Sequence, residues 1–122
     1  MPSAPRAVPF LETIGARFVP TRKNRVRIAC PLADHVRNYA GSMHGGVIAT
    51  VAEAAARAAF QRKHPRKHVR TVEIKISYFR PILEGEIAAE AELLFDGATS
   101  VSNVDLFDDA NNLVATAIVT LS

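Results

Sequence analysis

Residues 38–63 contain the longest helix that the sequence predicts and read Asn-Tyr-Ala-Gly-Ser-Met-His-Gly-Gly-Val-Ile-Ala-Thr-Val-Ala-Glu-Ala-Ala-Ala-Arg-Ala-Ala-Phe-Gln-Arg-Lys. From Gly45 to about Lys63, apolar residues recur every three or four positions and no proline interrupts them, which is typical of an amphipathic helix. Seven alanines between Ala49 and Ala59 strongly favour a helix. They also keep the helix thin, so that a sheet can wrap closely around it.

The segments on both sides of this helix alternate apolar and polar residues, as strands do. Before it, a short helical turn at residues 9–15 precedes two short strands, residues 17–20 and 25–30, joined by a polar turn at 21–24. After it, four longer strands are predicted at residues 71–78, 87–95, 100–107 and 113–121. Consecutive strands with short turns predict an antiparallel meander, covered on one face by the helix, in an α+β fold.

Length and composition restrict the class of protein. A chain of 122 residues with 48% apolar and 22% charged residues is typical of one globular domain, and no apolar stretch approaches the ~20 residues that cross a bilayer. The net charge of +3 suits an anionic substrate but is too small to indicate nucleic acid. Cys30 is the only cysteine, which excludes an internal disulfide and a cysteine-based metal site.

The N-terminal residues give no sign of export. Residues 1–9 contain three prolines and no apolar segment of a signal peptide, so we expect a flexible N-terminus at 1–9 followed by a single domain at 10–122. Without an export signal or a disulfide framework, the expected compartment is the cytoplasm, with no membrane partner.

The start of the helix has the elements of a hydrolytic site. The first N–H groups of a helix lack intrahelical partners and favour negative charge, and a glycine lets a substrate approach them. Gly45 and Gly46 stand at this position. Glu53 follows Gly46 by about two turns on nearly the same face, ~10 Å along the axis. A carboxylate at that place can activate water or attack a carbonyl.

The pattern Asn-x-x-Gly-x-x-His-Gly-Gly, with an acidic residue nine positions after the histidine, resembles the hotdog-fold acyl-CoA thioesterases of the phenylacetate-degradation type (PaaI-like). Residues 75–81, the Glu84-Gly85 turn and residues 113–117 resemble the later strands of that family. The resemblance covers nearly the whole chain beyond about residue 10. It implies a hotdog fold, in which an antiparallel sheet wraps around one long central helix.

The resemblance also implies an activity, hydrolysis of an acyl-CoA (aryl or medium-chain acyl groups among the candidates) to free acid and CoA, and a set of residues. Glu53 would be the general base or nucleophile, and the Gly45 N–H would meet the thioester oxygen. His44 would help to position the thioester, Asn38 would help to hold the attacking water, and Thr71 would reach the site from the partner subunit. No cofactor is implied, because CoA is part of the substrate.

Each of these residues has a structural alternative. Glu53 could pair with Arg57 four positions later on a solvated face of the helix. His44 could cap the helix, Asn38 could form an ordinary turn, and Thr71 could be a simple strand residue.

A basic run follows the middle of the helix and has two interpretations. It is either a solvated helix end or a contact for the CoA phosphates, for which arginine suits better than lysine. Arg62 and Arg80 are the candidates for CoA binding. The run comprises Arg57, Arg62, Lys63, Arg66, Lys67 and Arg70.

The resemblance implies a homodimer, with two sites at the interface and further pairing into a dimer of dimers. Two other functions stay open at this point. One is a hotdog hydratase or dehydratase, in which His44 and Glu53 would act as acid and base. The other is a protein that binds acyl-CoA without catalysis.

Overall fold

The computed structural model describes residues 8–22 and 24–122. Of the predicted flexible N-terminus, residues 1–7 lie outside the described part, and Pro9 already belongs to the first helix. A single 3-10 turn, Asp34–Val36, precedes the long helix. The helices are α1 (Pro9–Ile14) and α2 (Gly45–Lys63), and the strands are β1 (Arg17–Val19), β2 (Val26–Pro31), β3 (Thr71–Tyr78), β4 (Glu86–Asp96), β5 (Ser100–Phe107) and β6 (Leu113–Leu121).

The strands form one antiparallel sheet in the order β1-β2-β4-β5-β6-β3. The meander is confirmed for β4, β5 and β6, but it was wrong to extend it to β3, which pairs with β6 at the far edge. The connection at residues 79–85 explains the difference. Its Ile82 carbonyl accepts a hydrogen bond from the Met43 N–H (2.9 Å), and its Gly85 carbonyl accepts one from the Leu32 N–H (2.8 Å). The chain therefore crosses the start of α2 and reaches β2 instead of turning back beside β3.

The core lies between α2 and the concave face of the sheet. Ala52, Ala55 and Ala56 are fully buried, which shows that the alanines let the strands approach the helix backbone, as expected from the sequence. Alternate residues of β5 and β6 point toward the helix and are buried. The predicted architecture, one long helix wrapped by an antiparallel sheet, is confirmed. Within the described residues, neither helix is both long enough and apolar enough to cross a membrane.

Edge strand β3 determines which side of α2 stays accessible. Ile74, Ile76 and Tyr78 alternate toward the helix, and a register shift between Thr71 and Glu73 brings Thr71 opposite the buried Leu121. Among the described residues, no strand pairs with the other side of β3. The stripe of α2 beside this edge is therefore only partly covered; it comprises Gly46, Ala49, Thr50, Glu53, Ala54 and Arg57.

Candidate active site

The start of α2 is capped by His44. Its Nδ1 accepts a hydrogen bond from the Gly46 N–H (2.9 Å), and its carbonyl accepts from the N–H groups of Val47 (3.0 Å) and Ile48 (3.1 Å). Because Nδ1 is an acceptor, the proton of the neutral ring lies on Nε2. The Gly45 N–H donates to no acceptor in the described part of the chain, so it is the N–H group of this turn that remains for a ligand.

Tyr78, which sequence reasoning did not assign to the site, fixes the peptide group next to that N–H. Its hydroxyl donates to the Gly45 carbonyl at 2.7 Å. Burial raises the pKa of the Tyr78 hydroxyl, so the proton that makes this bond is retained. The inward alternation of β3 was the available signal, but the contact with Gly45 depends on how strand and helix pack.

Asn38 organises the loop that leads into the helix. Its Oδ1 accepts from the N–H groups of Ala40 (3.0 Å) and Ser42 (3.1 Å), and its Nδ2 donates to the Ser42 hydroxyl (2.8 Å). This is the turn-forming role considered as the alternative. One Nδ2 hydrogen of the amide remains for another acceptor.

Glu53 is partly buried, and its carboxylate makes no hydrogen bond or ion pair in the described part of the chain. The alternative pairing with Arg57 is wrong, because the guanidinium of Arg57 points elsewhere. It donates to the Thr71 hydroxyl (3.3 Å) and to the Val69 carbonyl (3.1 Å). The structure thus places Thr71 beside Arg57 of its own chain. A carboxylate with free lone pairs lies on the accessible stripe of the helix.

The spacing of Gly45 and Glu53 leaves room for a substrate between them. The two residues are eight positions apart, about 12 Å along the axis, and helical side chains tilt toward the N-terminus, which shortens the gap. A carbonyl oxygen about 3 Å from the Gly45 N–H and a water about 3 Å from the Glu53 carboxylate fit this distance together. The small residues on this stripe, Ala49 and Thr50, do not obstruct it.

The two arginines predicted to bind CoA lie in different parts of the fold. Arg62 donates to the Arg25 carbonyl at 2.7 Å and so ties the end of α2 to the residues before β2. Arg80 lies in the connection after β3, close to Asp108. The pKa of Asp108 is lowered chiefly by hydrogen bonds from Asn112 and more weakly by the charge of Arg80.

Comparison with known proteins identifies related sequences over almost the whole chain. The family model described as "Domain of unknown function (DUF4442)" matches residues 3–122. The chain is 27% identical over 108 residues to "Putative esterase SSO1253" of Saccharolobus solfataricus, covering 88% of this chain and 72% of that protein. It is 27% identical over 116 residues to "Putative esterase ComA2" of Bacillus subtilis, covering 93% of this chain and 92% of that protein.

Solved structures establish the fold independently of these sequences. The thioesterase HI1161 of Haemophilus influenzae superposes with a TM-score of 0.88 at 23% identity, covering 93% of this chain and 80% of its own. At this identity the likeness concerns the fold alone, and the resemblance to hotdog thioesterases drawn from the sequence is confirmed at that level. The chain therefore belongs to the DUF4442 family of domains of unknown function, and it has the hotdog fold.

Proposed function

We propose that this protein is a thioester hydrolase that converts an acyl-CoA into a free acid and CoA. The observation that carries the proposal is the Glu53 carboxylate, which is partly buried yet has no partner in the described structure, two helical turns beyond an N–H group that also has none. The hotdog thioesterase fold and the two relatives named as putative esterases support the same reaction class.

The helix start supplies stabilisation of negative charge. A thioester oxygen beside the Gly45 N–H receives a hydrogen bond as it becomes an oxyanion, and the positive end of the helix dipole acts at the same point. Nε2–H of His44 is exposed at this turn and is a second donor that positions the thioester. The bond from Tyr78 to the Gly45 carbonyl keeps this peptide group oriented in advance.

Glu53 supplies the base. In the general-base route it accepts a proton from water, the hydroxide oxygen bonds to the acyl carbon, and the C–S bond breaks. The proton held by Glu53 then neutralises the CoA thiolate. In the nucleophilic route the carboxylate itself forms the bond to the acyl carbon as the C–S bond breaks and CoA leaves as the thiolate. Water then hydrolyses the resulting anhydride, which releases the acid, restores Glu53 and supplies the proton that neutralises the thiolate. The remaining Nδ2 hydrogen of Asn38 helps to hold the attacking water in the first route.

The basic side chains bind the CoA phosphates in this proposal. Arg80 is the cleaner test, because Arg62 also supports the fold through the Arg25 carbonyl. The Arg80→Ala variant should raise KM for CoA esters and leave kcat nearly unchanged, since phosphate contacts lie away from the reacting carbon. An unchanged KM would remove Arg80 from the binding site.

The proposal includes a homodimer formed through β3. Edge strand β3 has backbone groups free on the side away from β6, and its Val72 side chain is 62% exposed. Edge-to-edge pairing of two such strands would cover both, and two dimers would pair further. Light scattering at micromolar concentration should give the mass of a dimer or tetramer. A monomeric mass with full activity would contradict sites that lie at a dimer interface.

A panel of thioesters tests the reaction class. Wild-type protein is incubated with aryl-, short-, medium- and long-chain acyl-CoA, and free thiol is measured; enoyl-CoA is followed in parallel by its absorbance. We expect thiol release from at least one acyl-CoA and its loss in the Glu53→Ala variant. Loss of enoyl absorbance without thiol release would instead indicate a hydratase. Binding of acyl-CoA with no thiol release would indicate a non-catalytic binding protein.

A further inference from the structure

The guanidinium of Arg57 is held away from the Glu53 carboxylate by bonds to another part of the chain. A glutamate four residues before an arginine on an accessible helix face ordinarily favours an ion pair. Here Nη1 of Arg57 donates to the Thr71 hydroxyl at 3.3 Å, and Nη2 donates to the Val69 carbonyl at 3.1 Å. Glu53 and Arg57 form no salt bridge.

The position of Thr71 results from the irregularity of β3. A strictly alternating strand would place Val72 toward the helix with Ile74 and Ile76. The register shift between Thr71 and Glu73 exposes Val72 and brings Thr71 opposite Leu121, on the side where α2 packs. Bulges commonly re-aim a side chain in this way. The hydroxyl is thereby presented to the helix one turn beyond Glu53.

We propose that Thr71, together with the Val69 carbonyl, is a positioning residue that withholds Arg57 from Glu53 within one chain, and so keeps the carboxylate free for water or substrate. This inference rests on the proposed hydrolase function. It assigns Thr71 a role through Arg57 of its own chain, which differs from contact with substrate across a dimer. An arginine paired with Glu53 would occupy its lone pairs and stabilise its charged form, which makes a poorer base.

Of the titratable groups that the strands of the described residues turn toward α2, none is a cation. The strands packed against α2 are β2 to β6. Toward the helix, the described strands present these titratable groups: Cys30 from β2, Tyr78 from β3, and Asp96 from β4 at the far end of the helix, bound to His64. The Tyr78 hydroxyl already donates its hydrogen bond to the Gly45 carbonyl. Arg57, four residues beyond Glu53 on the same helix, is therefore the cation that its bonds to Thr71 and Val69 keep from pairing with Glu53.

Substitution of Thr71 tests the proposal through a pH profile. Thr71→Val keeps the shape of the side chain and removes the acceptor of Nη1, so Arg57 can turn toward Glu53. We expect the acid limb of the kcat profile to move to lower pH by about one unit. The plateau of kcat should fall by about threefold or more, with KM nearly unchanged. Thr71→Ser restores the hydroxyl and should return the acid limb to its wild-type position.

A double variant separates this role from simple support of the strand. In an Arg57→Gln background, Thr71→Val should produce no further movement of the acid limb, because the cation is absent. The proposal would be overturned if the acid limb of the kcat profile did not move in Thr71→Val alone. It would also be overturned if Thr71→Val moved the limb equally in the Arg57→Gln background. The hydrolase proposal fails separately, through full thiol release by the Glu53→Ala variant.

Discussion

The polar groups at the two ends of α2 differ in whether they have partners within the described chain. At the C-terminal end, the Asp96 carboxylate is bonded to His64 (2.7 Å), Lys63 (3.3 Å) and Ser100 (3.2 Å), and His64 also packs on the ring of Phe60. At the N-terminal end and along the following two turns, the Gly45 N–H and the Glu53 carboxylate have no partner in the described chain. One end of the helix is closed by its own side chains, and the other is open to a ligand.

This difference indicates which polar residues serve the fold and which are available for chemistry. Every fully buried side-chain nitrogen or oxygen in the described residues has a hydrogen bond, so the fold satisfies its polar groups wherever it can. The Gly45 N–H and the Glu53 carboxylate are only partly buried and have no partner in the described chain, so a ligand can reach them. The same histidine-plus-carboxylate composition therefore has a structural role at His64 and Asp96 and a proposed catalytic role at His44 and Glu53.

Substitution of Glu53 should have the largest effect at the open end. Glu53→Gln keeps the size of the side chain and removes the base, so kcat for thiol release should fall by at least ~10²-fold, with Tm nearly unchanged. Glu12→Gln, at an exposed carboxylate on α1, is the matched control and should release thiol like the wild type. Equal losses in both variants would mean that Glu53 has no special role.

A methyl group at Gly45 should produce the next largest effect. A Cβ there would lie 3.4 Å from the Tyr78 hydroxyl oxygen, an ordinary contact, so Gly45→Ala should fold, and alanine favours the helix. The same methyl would stand beside the N–H that meets the substrate oxygen, and kcat should fall by about tenfold or more. Activity and calorimetric Tm are measured together; retained activity would place the oxyanion donor elsewhere.

At the closed end, we expect Asp96→Asn to change stability and leave thiol release intact. The hydrogen bond from His64, assisted by Lys63, lowers the pKa of Asp96 from its ordinary value of 3.8. Because the folded-state pKa is depressed, the stabilisation is present above the ordinary value and is lost as the pH falls through the folded value. Asp96→Asn should therefore lower Tm by a few degrees at about pH 7, and the difference should shrink as the pH falls below 3.8 and through the lowered folded-state pKa. A constant difference across this range would contradict the role of the charge.

Removal of Lys63 should have the smallest effect. Its side chain is 61% exposed, and its ammonium lies 3.3 Å from the Asp96 carboxylate, which His64 also binds. Exposed ion pairs of this kind contribute little. Lys63→Ala should change neither Tm nor thiol release measurably. A loss of stability as large as that of Asp96→Asn would show that the closed end depends on the lysine more than on the histidine.

Much of the fold was predictable because its signals are local. The alanine-rich period of three to four residues fixed α2, and apolar alternation fixed the four long strands. The partner of β3 was not predictable in the same way. It depends on the connection at residues 79–85, whose Ile82 and Gly85 carbonyls bond to residues before α2 and after β2, far away in the sequence.

The site was predictable in its residue types and less so in its contacts. The glycines at a helix start and a carboxylate two turns later have a physical reason that the sequence displays. The spacing of four residues favoured a Glu53–Arg57 pair. The guanidinium of Arg57 instead donates to Val69, in the loop before β3, and to Thr71, at the start of β3. Tyr78 was missed for the same reason, since its contact with Gly45 joins a strand to a helix.

Turnover and Tm are best compared directly in Glu53→Gln and Asp96→Asn, with the same acyl-CoA and the same buffer. We expect opposite results: thiol release falls by at least ~10²-fold in Glu53→Gln while Tm is unchanged, whereas Asp96→Asn keeps its thiol release and has a lower Tm. Thiol release by Glu53→Gln at the wild-type rate would contradict the claim that the open end of α2 is the active site.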